Sequence, residues 1–343
     1  MTASSTLPPV HHHEEEDYSR GQAIANWLKG QYALYILVAI LLVATITKGA
    51  VFWSGTNLTN LLLQMSIIGV VTLAELIVVL TGGIDISVGS ALGLAAVLAA
   101  GLFGGPSVLL ALVVALVVGG VIGTVNGWLV AFRGLEPFIV TLGMLALARG
   151  LVYAYGNGIP ITPKAAGTFS DLGQTTILGI PVLAVIWLLM VLLIGFLLSR
   201  TVWGRRVYAV GSNKEAAQSS GIPVRATLWS VYILAGLLVG LGGWMFLCRF
   251  GSGTSTAGNL LELEAIAAVV IGGARLSGGY GTVFGTVVGT IIFAVIANLL
   301  SLLNVSTFLQ DAFRGALILV AVTLATVQFK RKKTIDSPEP VAK

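Results

Sequence analysis

Ten apolar stretches of roughly bilayer-crossing length run along this chain and leave no room for a water-soluble core. A transmembrane helix needs about 20 mostly apolar residues, with a range of ~17–25. The stretches fall at 33–49, 58–80, 86–103, 107–132, 136–155, 180–199, 226–248, 260–273, 280–302 and 309–328. The eighth is short and the third opens on Asp85 and Ser87, so both are expected to be broken or tilted. Backbone that leaves the helix at membrane depth must be buried in protein or line a water-filled cavity. Only 10% of residues are charged, against about 25% in soluble domains. The reading is an all-α integral membrane protein of about ten spans.

An even number of spans puts both termini on one side. With both placed inside, fourteen of the 19 Lys and Arg lie on inner segments, three (Lys48, Lys164 and Arg249) lie outside, and Arg149 and Arg314 fall within spans. Cytoplasmic loops carry such an excess, so both termini are expected in the cytoplasm. The same count accounts for the net charge of +5 without nucleic acid. The expected organisation is a polar cytoplasmic tail at 1–30, a transmembrane domain at 31–329 and a basic cytoplasmic tail at 330–343. His11, His12 and His13 belong to the first tail; an acidic run precedes the first span, and no signal peptide fits.

Glycine is abundant, 43 residues of 343, and small residues let membrane helices approach closely. Gly119, Gly123 and Gly127 share one helix face, as do Gly281, Gly285 and Gly289. Packing within one subunit, or between subunits, would use such faces. GGIDISVG at 82–89 and GGARLSGG at 272–279 echo each other as GGxxxSxG, each just after an apolar span. The longest outer loop, 156–179, is either a connector or a contact for an external partner. Cys248 is the only cysteine, so no intrachain disulfide forms.

The polar, basic island GRRVYAVGSNKEAAQSSGIPV at 204–224 lies between two apolar spans. Gly211, Gly221 and Pro223 bracket the run Asn213 to Ser220, which reads as one small helix outside the membrane. Such a helix in an inner loop offers a soluble partner something to grip.

Polar groups inside spans are costly, on the order of 2.5–3.5 kcal/mol for a charge at a helix centre. Glu75, Arg149, Glu262, Glu264, Asp311 and Arg314 are therefore expected to face protein or water. Asp311 and Arg314 are placed to pair locally, Glu262 and Glu264 to meet water near an outer end, and Glu75 and Arg149 to pair at depth. Glu75, Thr81, Asp85, Ser87, Asn126 and Arg149 are the candidate pathway residues. Asp85 also fits a plain helix-capping role. There is no GxxxxGK[ST] phosphate loop, no histidine in a span and no metal set.

Four segments together resemble the ribose/xylose-type permease subunits of bacterial ABC importers: LTGGIDISVGS at 80–90, PFIVTLGMLALARG at 137–150, GRRVYAVGSNKEAAQSSGI at 204–222 and EAIAAVVIGGARLSGGYGTVFGTVVG at 264–289. The likeness spans about 60–320. It implies a ten-helix permease of the bacterial inner membrane that forms a homodimer and is not itself an enzyme. A separate ABC ATPase subunit would hold ATP and Mg, and an extracytoplasmic sugar-binding protein would deliver a neutral sugar or polyol. No cofactor or metal is expected in this chain. Coupling to the ATPase would fall to 200–225, at Arg205, Arg206, Gly211, Asn213, Glu215, Ala216, Ala217 and Gly221. The alternatives are an H⁺- or Na⁺-coupled transporter using Glu75 and Asp85, and a passive channel.

Overall fold

The computed structural model describes residues 32–102, 107–317 and 319. Expectations for the two tails, and for the end of the tenth stretch, lie outside the described residues. The elements run α1 (Tyr32–Phe52), α2 (Gly55–Val79), α3 (Val88–Gly101), α4 (Val108–Arg133), α5 (Pro137–Gly156), α6 (Ala166–Gln174), β1 (Thr176–Ile177), β2 (Ile180–Pro181), α7 (Val182–Arg200), α8 (Val202–Ser212), α9 (Lys214–Ser219), α10 (Val224–Phe250), α11 (Leu261–Ile271) and α12 (Val283–Leu302). The chain is helical again over 307–317. The 156–179 loop is more than a connector: it carries α6 and an antiparallel β1–β2 hairpin, and Phe169 of α6 is fully buried.

Among the described residues, seven helices are long and apolar enough to span a membrane: α1, α2, α4, α5, α7, α10 and α12. At 1.5 Å per residue, the 14 residues of α3 reach about 21 Å and the 11 of α11 about 16 Å. Both fall short of the ~30 Å hydrocarbon core, as the broken-helix reading expects.

Local chemistry sets the boundaries. Ser54, Ser107 and Thr282 cap α2, α4 and α12, each side chain accepting a first-turn N–H. This satisfies donors that the helix itself leaves free. Gly134 and Gly251 end α4 and α10 in the left-handed region, the usual glycine stop. Pro137 opens α5, where its missing N–H costs nothing.

Helices α2 and α10 form the centre, and α2 is buried along nearly all its length. Large apolar side chains on the outer faces of α4, α5 and α7, such as Leu109, Ile139 and Leu192, stay exposed, as suits lipid contact. The glycine face of α4 packs inside the chain, against α10. A Cβ on Gly119 would strike the Gly236 carbonyl, and one on Gly123 the Tyr232 carbonyl. The second glycine face packs on α11 and the turn after it, with Gly285 against Gly272 and Gly289 against Ala268. Polar pairs join α2 to α12. Asn57 and Asn298 exchange side-chain hydrogen bonds of 3.1 and 2.8 Å, and the Thr72 and Thr290 hydroxyls meet at 2.8 Å.

Candidate functional site

The exposed polar island folds as two helices: the small one expected over Asn213 to Ser220 is α9, and α8 precedes it. Arg205 and Arg206 lie exposed on α8, while Asn213 begins the separate helix α9. The Asn213 side chain caps α9 by accepting from the Ala216 N–H at 2.9 Å. Glu215 sits in the first turn, where its charge suits the helix dipole. Gly221 follows in the left-handed region, and the chain turns into α10. Glu215, Ala216, Gln218 and Ser219 are exposed. Ala217 is not: it is buried against Val210, Ala131 and Leu228. Placing it among the partner-facing residues therefore needs correction, because Ala217 seats α9 on the bundle.

Helix α8 is fastened from behind. Tyr208 donates its hydroxyl to the Gly281 carbonyl at 2.8 Å, and Trp203 Nε1 donates to Ser230 Oγ at 2.8 Å. Burial pushes the Tyr208 pKa up, so its hydroxyl stays protonated as a donor. At the end of α8, the two echoing turns meet. Gly279 N–H donates to the Leu80 carbonyl at 2.9 Å. A Cβ on Gly211 would strike that same carbonyl and lie 2.6 Å from Gly279 N. Gly278, at φ +85°, lies so close that a Cβ there would be 2.7 Å from Gly82 N and 2.8 Å from the Gly211 carbonyl. A 380 Å³ cleft opens at this junction, lined by Thr81, Asn213, Glu215 and Ser277 among others.

Just beyond Gly82 and Gly83 the chain leaves the helix and a buried polar cluster forms. Asp85 Oδ1 accepts from the Ser87 N–H at 2.8 Å and from the Ser87 hydroxyl at 2.6 Å. Asn126 on α4 donates to Ser87 Oγ at 3.1 Å. Glu75 on α2 accepts from the Asp85 N–H at 3.3 Å. Thr141 on α5 accepts from the Ile86 N–H at 3.3 Å. Glu75, Asp85, Ser87 and Asn126 are all buried. Thr81, also buried, donates to the Val78 carbonyl at 2.7 Å and closes the end of α2.

Arg149 does not join this cluster, and the expected Glu75–Arg149 pair is not made. Arg149 Nη1 instead donates to the carbonyls of Ser255 at 3.0 Å and Ala257 at 2.9 Å, tying the 251–260 loop to α5. Glu264 is buried rather than open to water. Asp311 and Arg314 do pair, at 3.3 Å. Sequence reasoning passed over Tyr232, whose hydroxyl is buried beside Gly83, and Thr141. A hydroxyl in the middle of an apolar span was the available signal for both.

A bundle of apolar helices with a buried polar break between α2 and α3 and an exposed helix pair seated on it is the architecture of a multi-pass membrane transport subunit. The chain matches the family model described as "Branched-chain amino acid transport system / permease component" over residues 57–322. It belongs to that family of permeases. It is 42% identical over 297 residues to the ribose import permease protein of Bacillus subtilis, covering 86% of this chain and 90% of the relative. It is 36% identical to the xylose transport system permease protein of Escherichia coli K12, covering 86% and 91%. It is also 36% identical to the galactose/methyl galactoside import permease protein of Salmonella typhimurium, covering 91% and 98%. No solved structure matches the chain with significance.

Proposed function

We propose that this chain is the membrane-spanning subunit of an ATP-driven importer for a small neutral sugar or polyol in the bacterial inner membrane. The observation that carries the reading is the seating of α8 and α9. An exposed helix joined by backbone contacts at Gly211 to both glycine turns is positioned to pass a partner's movement into the bundle. The named relatives, at 36–42% identity, are permeases of ribose, xylose and galactose systems. These support a monosaccharide over the amino acid in the family description, and an importer over an ion-coupled carrier.

The partner on α9 would be an ABC ATPase subunit that holds ATP and Mg. An extracytoplasmic binding protein would deliver the sugar at the opposite face, and two permease chains would form a homodimer. Ten spans with both termini cytoplasmic, two of them short, fit the Lys/Arg bias. As the ATPase closes on ATP, α9 moves with it. The Gly211 contact carries the movement to Leu80 and Gly279, and the Glu75–Asp85–Ser87–Asn126 cluster shifts with the turn that holds it. Affinity resides in the binding protein, so the pathway need only tolerate hydroxyl groups.

Thermal-shift screening of the cognate binding protein tests the substrate class. Stabilisation by D-ribose, D-xylose or D-galactose is the expected result. A response to leucine, isoleucine or valine alone contradicts the sugar reading.

A further inference from the structure

A 340 Å³ cavity opens between α2, α3, α10, α11, α12 and the 307–317 helix. It lies far from α9. Helix α10 leaves the α9 end at Val224, and the cavity residues Phe246 and Phe250 are on its last two turns. With 27 residues in α10, that is close to 40 Å along the helix axis at 1.5 Å per residue. The volume is at the small end of the ~300–1,000 Å³ typical of ligand sites, which suits one small molecule.

The wall chemistry is specific. Glu264 lines the cavity and is 4% exposed. Its Oε1 is buried with no hydrogen-bond partner among the described residues, and so is Arg314 Nε. An ionised carboxylate only accepts and a guanidinium only donates. A hydroxyl does both. The amides of Gln64 and Asn259 also line the space and have both capacities. The Phe246 and Phe250 rings stand 4.5 Å apart and give an apolar wall for the C–H face of a sugar ring. Neither cation is bare: Arg249 lies over the Phe250 ring at 5.0 Å, and Arg314 is paired with Asp311. That arrangement disfavours an anionic ligand.

We propose that this cavity is a transit site for one polyhydroxylated ligand, with Glu264 accepting from its hydroxyls and Phe246 and Phe250 against its carbon face. The proposal rests on the sugar-import reading above.

The test is uptake of labelled D-ribose, D-xylose and D-galactose into proteoliposomes holding the permease, its ATPase and its binding protein. Glu264→Gln keeps the shape but replaces one carboxyl oxygen with an NH2 donor, and Ala297→Phe fills the cavity from α12. Each is expected to cut uptake at least about tenfold, equivalent to about 1.4 kcal/mol, with the ATPase still copurifying. Asn259→Ala changes an exposed side chain, spares the fold, and is expected to lower the maximal rate of uptake while the sugar concentration for half-maximal uptake, set by the binding protein, stays unchanged. If Ala297→Phe does not assemble, Glu264→Gln and Asn259→Ala decide. Wild-type uptake in both would overturn the cavity proposal while leaving the importer reading intact. A wild-type complex that imports leucine and none of the sugars would overturn both.

Discussion

The backbone N–H of Gly279 and the carbonyl of Leu80 are 2.9 Å apart, although 199 positions separate them along the chain. This bond ties the glycine turn after α11 to the one after α2, and Gly211 at the end of α8 packs directly onto it. The two turns that echo each other in sequence are neighbours in space, with the exposed helix pair resting on both.

Gly211→Val is expected to uncouple the system. Its Cβ would collide with the Leu80 carbonyl, and backbone cannot move aside as a flexible side chain can. Overpacking of this kind costs typically ~1–3 kcal/mol, here at a surface junction and not in the bundle centre. The variant should purify as a folded complex with its ATPase, hydrolyse ATP, and show sugar uptake reduced at least about tenfold, the rate equivalent of ~1.4 kcal/mol. Normal uptake would show that the junction transmits nothing.

Glu215→Lys and Ala217→Trp should separate two roles that adjacent positions conceal. Glu215 is exposed on α9, so its charge reversal should release the ATPase on copurification and cost thermal stability little beyond the small helix-dipole term. Ala217 is buried beneath α9, so Trp there should lower the permease's own melting temperature in detergent. Equal effects of the two on stability would contradict this division.

Asp85→Ala should destabilise more than Asp85→Asn. The Asp85 oxygen accepts two donors from Ser87. Asparagine keeps a carbonyl oxygen at that place, whereas alanine leaves buried donors unpaired, at roughly 1–3 kcal/mol. Thermal unfolding of both variants in detergent measures the order. Equal melting temperatures would mean that the cluster contributes no net hydrogen bonding.

Topology follows from cysteine labelling on a Cys248→Ser background with an impermeant reagent. Lys164→Cys should label from outside and Lys332→Cys from inside, as the Lys/Arg bias requires. The reverse pattern would invert the orientation.

Much of the helical layout was legible because apolar run length and glycine spacing are local signals. The stretch 107–132 anticipates α4 (Val108–Arg133), and 136–155 anticipates α5 (Pro137–Gly156). The third stretch, with its opening Asp85 and Ser87, and the short eighth foretold α3 and α11. The GGxxxSxG echo gave the two turns but not their contact, because nothing local records that Gly278 lies against Gly82. Residues buried by distant elements were harder to place. Ala217 looks like any small residue on an exposed helix until Val210, Ala131 and Leu228 are folded beneath it. Arg149 looked available to Glu75 until the 251–260 loop supplied two carbonyls. The cluster partners Thr141 and Tyr232 lie 55 or more positions from Asp85, beyond the reach of any local pattern.

The most direct test of the account is the energy source for uptake. Proteoliposomes containing the permease, its ATPase and its binding protein should accumulate labelled sugar when ATP is supplied on the α9 side. They should stop when the ATPase is omitted or its hydrolysis is blocked. Uptake by the permease alone, driven by an imposed proton or sodium gradient, would contradict the account.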